Sequence, residues 1–183
     1  LDQLLTDILD LSRAQRMDPP VDDIDAEQLV HEVLRRLEKR IKETDARITI
    51  RSPLPRLRVN TTWAIQGIYN LVANALKFSS TGQPPDIEIA PHSGMDLEGN
   101  ELIGLVVRDR GPGVAPEQRD RIFELFRRAV GREIEGTGAG LAIVRQVAER
   151  HSGRAWVEPR EGGGSEFFIT FGVNQSSPRK VQR

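Results

Sequence analysis

Residues 61–78 read TTWAIQGIYNLVANALKF, and the layout of the chain follows from that stretch. On a helical wheel of about 100° per residue, Ile65, Ile68, Val72, Ala75 and Leu76 gather on one side. Asn70, Asn74 and Lys77 fall on the opposite side, within roughly 60° of one another. The apolar side predicts a helix packed on a sheet. The polar side predicts chemistry: an asparagine oxygen is a neutral, hard ligand for Mg²⁺, and a lysine brings positive charge to phosphate. A solvated helix face has the same composition, so the helix alone does not decide between the two.

Two glycine motifs lie further along. Asp109-Arg110-Gly111-Pro112-Gly113 follows an apolar segment that reads as a strand. A carboxylate at a strand end, next to glycines that admit a close ligand, suits a flat base with an exocyclic amine. Asp, Gly and Pro also favour an ordinary turn. The run Gly136-Thr137-Gly138-Ala139-Gly140-Leu141 opens a helix, where exposed amides and the helix dipole make an anion site. It is no dinucleotide fingerprint, because Leu141 stands at the third glycine position. Neither is it a P-loop, because Thr137 stands where lysine is required. A flexible hinge loop is the plain alternative.

Around these motifs the periodicity predicts further elements. Leu1, Leu4, Leu5, Ile8, Leu9 and Leu11 mark a helix over residues 1–16, stopped by Pro19 and Pro20. A second helix is predicted over residues 25–44, with Leu29, Val33, Leu37 and Ile41 on one face. Ile48–Ile50 alternates like a short strand. Strands are also predicted at Ile87–Ala90 and Leu102–Arg108, joined as a hairpin, and at Arg154–Glu158 and Phe167–Phe171 around a Gly162–Gly164 turn. A short helical piece is predicted near Glu117–Phe123 and a helix at Leu141–His151. The polar, basic stretch from Asn174 reads as a disordered tail. This order predicts an α+β fold, a two-layer sandwich of a mixed sheet with helices on one face.

Composition narrows the function classes. The 26 basic and 27 acidic residues leave a net charge of −1, so no one-sign field offers itself to nucleic acid or an anionic membrane. There is no cysteine, which excludes disulfides and thiolate chemistry. No apolar run approaches the roughly 20 residues that span a bilayer. At 183 residues, opening without Met and in mid-helix, the chain reads as a fragment holding one domain and an appendage.

The three motifs in this order, with Phe123 and Phe126 between the second and third, resemble the histidine kinase branch of the GHKL ATP-binding superfamily. The asparagine box is Asn70-Leu71-Val72-Ala73-Asn74-Ala75-Leu76-Lys77-Phe78. Asp109-x-Gly111-x-Gly113 is the first glycine box, Ile122-Phe123-Glu124-Leu125-Phe126 the phenylalanine box and Gly136 to Leu141 the second glycine box. His151-Ser152-Gly153-Arg154 and Gly164-Ser165-x-Phe167 look like the closing segments. The resemblance covers roughly residues 25–172 and implies the Bergerat ATP-binding fold, with a mainly antiparallel mixed sheet.

The resemblance also implies roles. Asn74 would be the Mg²⁺ ligand with Asn70 beside it, Lys77 would contact phosphate, and Phe78 would pack near adenine. Asp109 would accept from the adenine amino group, and Gly111 and Gly113 would shape that pocket. Gly136, Thr137, Gly138, Ala139, Gly140 and Leu141 would line the phosphates. Arg127–Glu135 would be a mobile lid anchored by Phe123 and Phe126, with Arg128 and Arg132 within reach of phosphate. Relatives that hydrolyse ATP carry a glutamate where Asn70 stands, so the resemblance favours phosphorylation of histidine over hydrolysis. A slow ATPase or a degenerate regulatory module of the same superfamily is the alternative. Ala139, where leucine is common, is a minor departure.

A histidine kinase needs an acceptor, and only His31, His92 and His151 are present. His31-Glu32 lacks the following Arg-Pro and is expected to be a surface or half-buried helix residue. His92 is expected in a strand-end loop, and His151 in a structural role. Residues 1–18 resemble the end of a second dimerisation helix and its linker, 19–173 the ATP-binding domain, and 174–183 a tail. The implied partners are a histidine-bearing dimerisation domain of the same protein, a response regulator receiver domain and a second copy in a homodimer, without nucleic acid. The domain is expected in the cytoplasm, its parent either soluble or anchored in the inner membrane.

Overall fold

The computed structural model describes Leu9, Ser12 and residues 22–78, 82–124 and 138–173. Leu9 and Ser12 are helical. The remainder of the first predicted helix, the loop holding Phe126, Arg128, Arg132, Gly136 and Thr137, and the tail lie outside the described residues.

Strand β1 (Asp22–Asp25) leads into helix α1 (Ala26–Arg36) and helix α2 (Glu38–Glu43). Strands β2 (Arg47–Ile50) and β3 (Arg56–Val59) precede the long helix α3 (Thr61–Lys77). Then come the hairpin β4 (Asp86–Met95) and β5 (Glu101–Arg108), helix α4 (Gly140–Arg150), and strands β6 (Ala155–Pro159) and β7 (Ser165–Gly172). Five strands form one mixed sheet in the order β2-β4-β5-β7-β6. The β2–β4 pair is parallel and the others are antiparallel. A separate antiparallel ribbon joins β1 to β3.

The period of two along each strand sorts its side chains. Ile87, Ile89, Leu105, Val107, Phe167, Ile169 and Phe171 enter the main core with α1, α3 and α4. The expected α+β sandwich, with helices on one face, is what forms. Ala90, Val106 and Phe168 point the other way and are buried under Trp156. Charges flank this patch: Arg108 donates to Glu166 and to Glu88, both at 2.7 Å, and Arg51 donates to Glu88 at 2.7 Å.

Three expectations need correction, and one element was not foreseen. The single helix over 25–44 is two helices, divided at Leu37, where the backbone leaves helical geometry at φ −96° and ψ 4°. Beyond it α2 buries no residue, and only Ile41 leans on the core. His92 is not in a strand-end loop but inside β4, opposite Gly104, its ring edge-on to Trp156 and Phe168. The helical piece at 117–123 is two 3-10 turns, Pro116–Gln118 and Arg121–Phe123. The β1–β3 ribbon was not anticipated. Its charged residues hide the pattern, and Arg56 pairs with Asp23 across it at 3.1 Å.

Helix α3 is held at its start. Asn60 caps it, its Oδ1 accepting from the Trp63 amide at 3.2 Å. The Asn60 amide in turn donates to Nε2 of His151 at 2.9 Å. Nδ1 of His151 lies 2.7 Å from the Val147 carbonyl, so the ring is a neutral tautomer with its proton on Nδ1. The side chain is fully buried, and burial lowers its pKa below the ordinary 6.5. His151, expected to be structural, ties the end of α4 to the start of α3. His31 is an exposed residue of α1, as expected.

His151→Ala is predicted to lower the unfolding free energy by about 2–4 kcal/mol, through the cavity and the abandoned Asn60 amide, as read by urea unfolding. The unfolded chain takes up this proton at a higher pH than the folded one. Stability should therefore fall as pH drops from about 6.5 toward the lowered folded value. In the same measurement His151→Gln should flatten that limb, leaving the slope due to His92, whose pKa burial also lowers.

Candidate functional site

The apolar face of α3 is wholly committed to the core: Ala64, Ile65, Ile68, Leu71, Val72, Ala75 and Leu76 are all buried. Asn70, Asn74 and Lys77 stand on the remaining face, each half-buried. Nδ2 of Asn70 is buried with no hydrogen-bond partner among the described residues. Leaving such a donor unmade costs about 1–3 kcal/mol, so it suits a site that a ligand oxygen completes. Lys77 Nζ lies 5.0 Å from the centre of the Phe78 ring. Phe78 ends the helix, its amide bonded to the Asn74 carbonyl at 2.9 Å.

The two glycine motifs meet this helix at two points. At Gly111 the backbone approaches so closely that a Cβ there would lie 2.1 Å from the Phe78 carbonyl oxygen. No other residue fits without moving the chain. At the opening of α4, a Cβ on Gly140 would lie 3.5 Å from Oδ1 of Asn70. The asparagine box is thus flanked by the Asp109 loop at one end and by the α4 N-terminus at the other. Ala139 at the N-cap is fully buried and gives the first turn of α4 no side-chain cap. Gly138 precedes it with φ +75°, and Leu141 packs on the core.

Asp109 is only 5% exposed, although β5 carries it to the edge of the site. Its Oδ1 accepts from the amides of Gly111 at 2.8 Å and Ser165 at 3.2 Å. Both bonds fall on Oδ1, so among the described residues Oδ2 is left to an incoming donor. Burial pushes the carboxyl up; the two amides and the charge of Arg160 pull it back. Gly113 (φ +78°) closes the turn against Gly164. Phe123 is buried under Arg145, whose guanidinium lies 5.3 Å above its ring, and edge-on to Phe167 at 6.5 Å. Phe126, Gly136 and Thr137 lie outside the described residues.

Among the described residues, no cluster of three or more His, Cys, Asp or Glu side chains could hold a metal ion. A metal here would draw its ligands from amide oxygens, water and a phosphorylated ligand; Nδ2 of Asn70 is a donor and fits an oxygen of that ligand, not the metal itself. The turn at Arg160–Ser165 was missed as part of the site. Its signal was the glycine run 162–164 between two strands, which reads equally as a plain hairpin.

The sequence profile of the histidine kinase-, DNA gyrase B- and HSP90-like ATPases matches residues 59–175, from the start of α3 past the end of β7. The chain belongs to this ATPase family. Within it, the chain is an ATP-binding catalytic domain of the sensor histidine kinase type. It is 39% identical over 171 residues to cyanobacterial phytochrome A of Nostoc, covering 93% of this chain and 21% of that protein. It is 34% identical over 170 residues to the methanogenesis regulatory histidine kinase FilI of Methanothrix harundinacea, covering 93% of this chain and 18% of that one. The chain therefore spans about a fifth of the length of these relatives. The crystal structure of full-length ShkA in complex with AMPPNP superposes with a TM-score of 0.73 at 28% identity, over 96% of this chain and 36% of that one. No helix among the described residues is long and apolar enough to cross a membrane.

Gly111→Ala is predicted to cost about 1–3 kcal/mol in urea unfolding, because the added methyl must push the Asp109 loop off the end of α3. ATP binding should weaken with it in a calorimetric titration.

Proposed function

We propose that this domain donates the γ-phosphoryl group of ATP to a histidine on a dimerisation helix of the same protein, for relay to an aspartate of a response regulator. One observation carries the reading: a face of two amides and a lysine stands between a buried carboxylate and the N-terminus of α4, which has no side-chain cap. The ATPase-family match supports it, as do a relative named as a regulatory histidine kinase and the AMPPNP held by ShkA.

In this reading Oδ2 of Asp109 accepts from the adenine amino group, and Phe78 packs beside the base. Gly111 and Gly113 shape that pocket. Lys77 and the amides of Gly136, Thr137, Gly138, Ala139, Gly140 and Leu141 receive the phosphates, and Phe123 and Phe126 anchor the lid Arg127–Glu135. Asn74 is the Mg²⁺ ligand, with Asn70 beside it. Magnesium would neutralise charge on the transferring phosphoryl group. An imidazole nucleophile is already neutral at pH 7, so the domain need supply only positioning and charge compensation. Asn70 has no carboxylate with which to activate water, which keeps hydrolysis slow.

The same reading assigns residues 1–18 to the end of a dimerisation helix and its linker, 19–173 to the ATP-binding domain, and 174–183 to a tail. It places the parent protein in a homodimer, acting in the cytoplasm, where ATP and response regulators are found.

Asn74→Ala should abolish Mg²⁺-dependent phosphoryl transfer from ATP to a separately supplied histidine-bearing helix bundle, followed with γ-labelled ATP. Transfer that survives the substitution removes the role given to Asn74. The unsubstituted chain should bind ATP and ADP but not GTP. Steady phosphate release without any bundle would point to an ATPase instead.

A further inference from the structure

The turn between β6 and β7 has no part in the chemistry above, yet it is built onto the backbone of Asp109. Arg160 Nη1 donates to the Asp109 carbonyl at 3.2 Å. From the other side, Arg110 Nη1 donates to the carbonyls of Glu161 at 3.0 Å and Gly163 at 3.3 Å. Each loop thus sends an arginine into the backbone of the other. Between these bonds the chains lie in close contact. The Asp109 amide donates to the Ser165 carbonyl at 2.9 Å, and the Ser165 amide donates to Oδ1 of Asp109 at 3.2 Å. Gly164 has φ +100°, and a Cβ there would lie 2.1 Å from the Asp109 carbonyl oxygen.

We propose that Arg160 and Arg110 are positioning residues for base recognition: their reciprocal clasp aims the Asp109 carboxylate, so the β6–β7 turn sets the preference for a purine with a 6-amino group. This rests on Asp109 being the acceptor for that amino group. Neither arginine needs to touch the nucleotide. A carboxylate bonded through Oδ1 to two loops presents Oδ2 in a direction set by how those loops are joined. Hydrogen-bond selectivity depends steeply on that direction. The positive charge of Arg160 also favours the ionised, accepting form of a carboxyl that burial otherwise pushes toward protonation.

The test is a cycle between protein and base. The chain and its Arg160→Ala, Arg110→Ala and Arg160→Lys variants are titrated calorimetrically with ATP and with inosine triphosphate, which carries a carbonyl in place of the 6-amino group. Arg160→Ala and Arg110→Ala should each weaken ATP by about tenfold while leaving inosine triphosphate unchanged. Arg160→Lys should recover part of the preference, since it keeps the charge. Urea unfolding confirms that each variant is folded. Equal weakening of both nucleotides would show general loosening and overturn the proposal, as would an unchanged preference. An unsubstituted chain that does not distinguish the two bases would remove the assignment of Asp109 itself, and the clasp's function with it.

Discussion

The burial of α3 constrains everything else in this domain. Its inner face lies against the sheet, α1 and α4, and Gly67 lets the helix sit close over β7. A Cβ at that position would be 2.9 Å from Cδ1 of Ile169. With seven apolar side chains from Ala64 to Leu76 in the core, the helix cannot rotate without exposing several of them, at about 1.5–3 kcal/mol for each large one. Its polar residues have no freedom of direction as a result. Asn70, Asn74 and Lys77 face the site because the opposite side is spoken for.

Rotation is set by the core, but the position of α3 along its axis is set at its ends. At the start, a buried neutral histidine from α4 holds the capping asparagine. At the finish, the missing side chain of Gly111 lets the Asp109 loop press on the Phe78 carbonyl. The two helices and the Asp109 loop are therefore tied into one unit. Such a unit suits phosphoryl transfer to a nucleophile that needs no activation, where catalysis is mostly positioning and charge compensation. The same unit would serve hydrolysis only if it offered water a base, and Asn70 is an amide.

The far face of the sheet follows different physics. No helix among the described residues covers it, yet Val106 and Phe168 are nearly as buried as the main core. They are shielded by the Trp156 ring, stacked on Phe168 at 4.6 Å, and by His92. The Arg51–Glu88–Arg108–Glu166 chain beside them is partly exposed, and each such pair contributes little in water. Its geometry fixes register across β4, β5 and β7 more than it adds stability. His92 belongs to this patch because strand β4 runs on to Met95, well past the alternating apolar segment that marks it in the sequence.

Elements with a strong internal period were legible from the residues alone. The α3 stripe, β5, α4 and β7 were expected within a few residues of where they stand, as were the start of β4 and the sorting of α3 into a buried and a polar face. The asparagine and glycine motifs also named the candidate site. What the sequence could not determine depends on contacts between distant segments. The break at Leu37 interrupts an apolar pattern that runs through it to Ile41, and the β1–β3 ribbon exists because Asp22–Asp25 finds Arg56–Val59 across 30-odd residues. The mutual grip of Arg110 and Arg160 is likewise invisible in a linear pattern, since each arginine bonds backbone carbonyls about fifty positions away. Periodicity records which face of an element is buried; it carries no record of which neighbour buries it, and the shape of the site is decided by the neighbours.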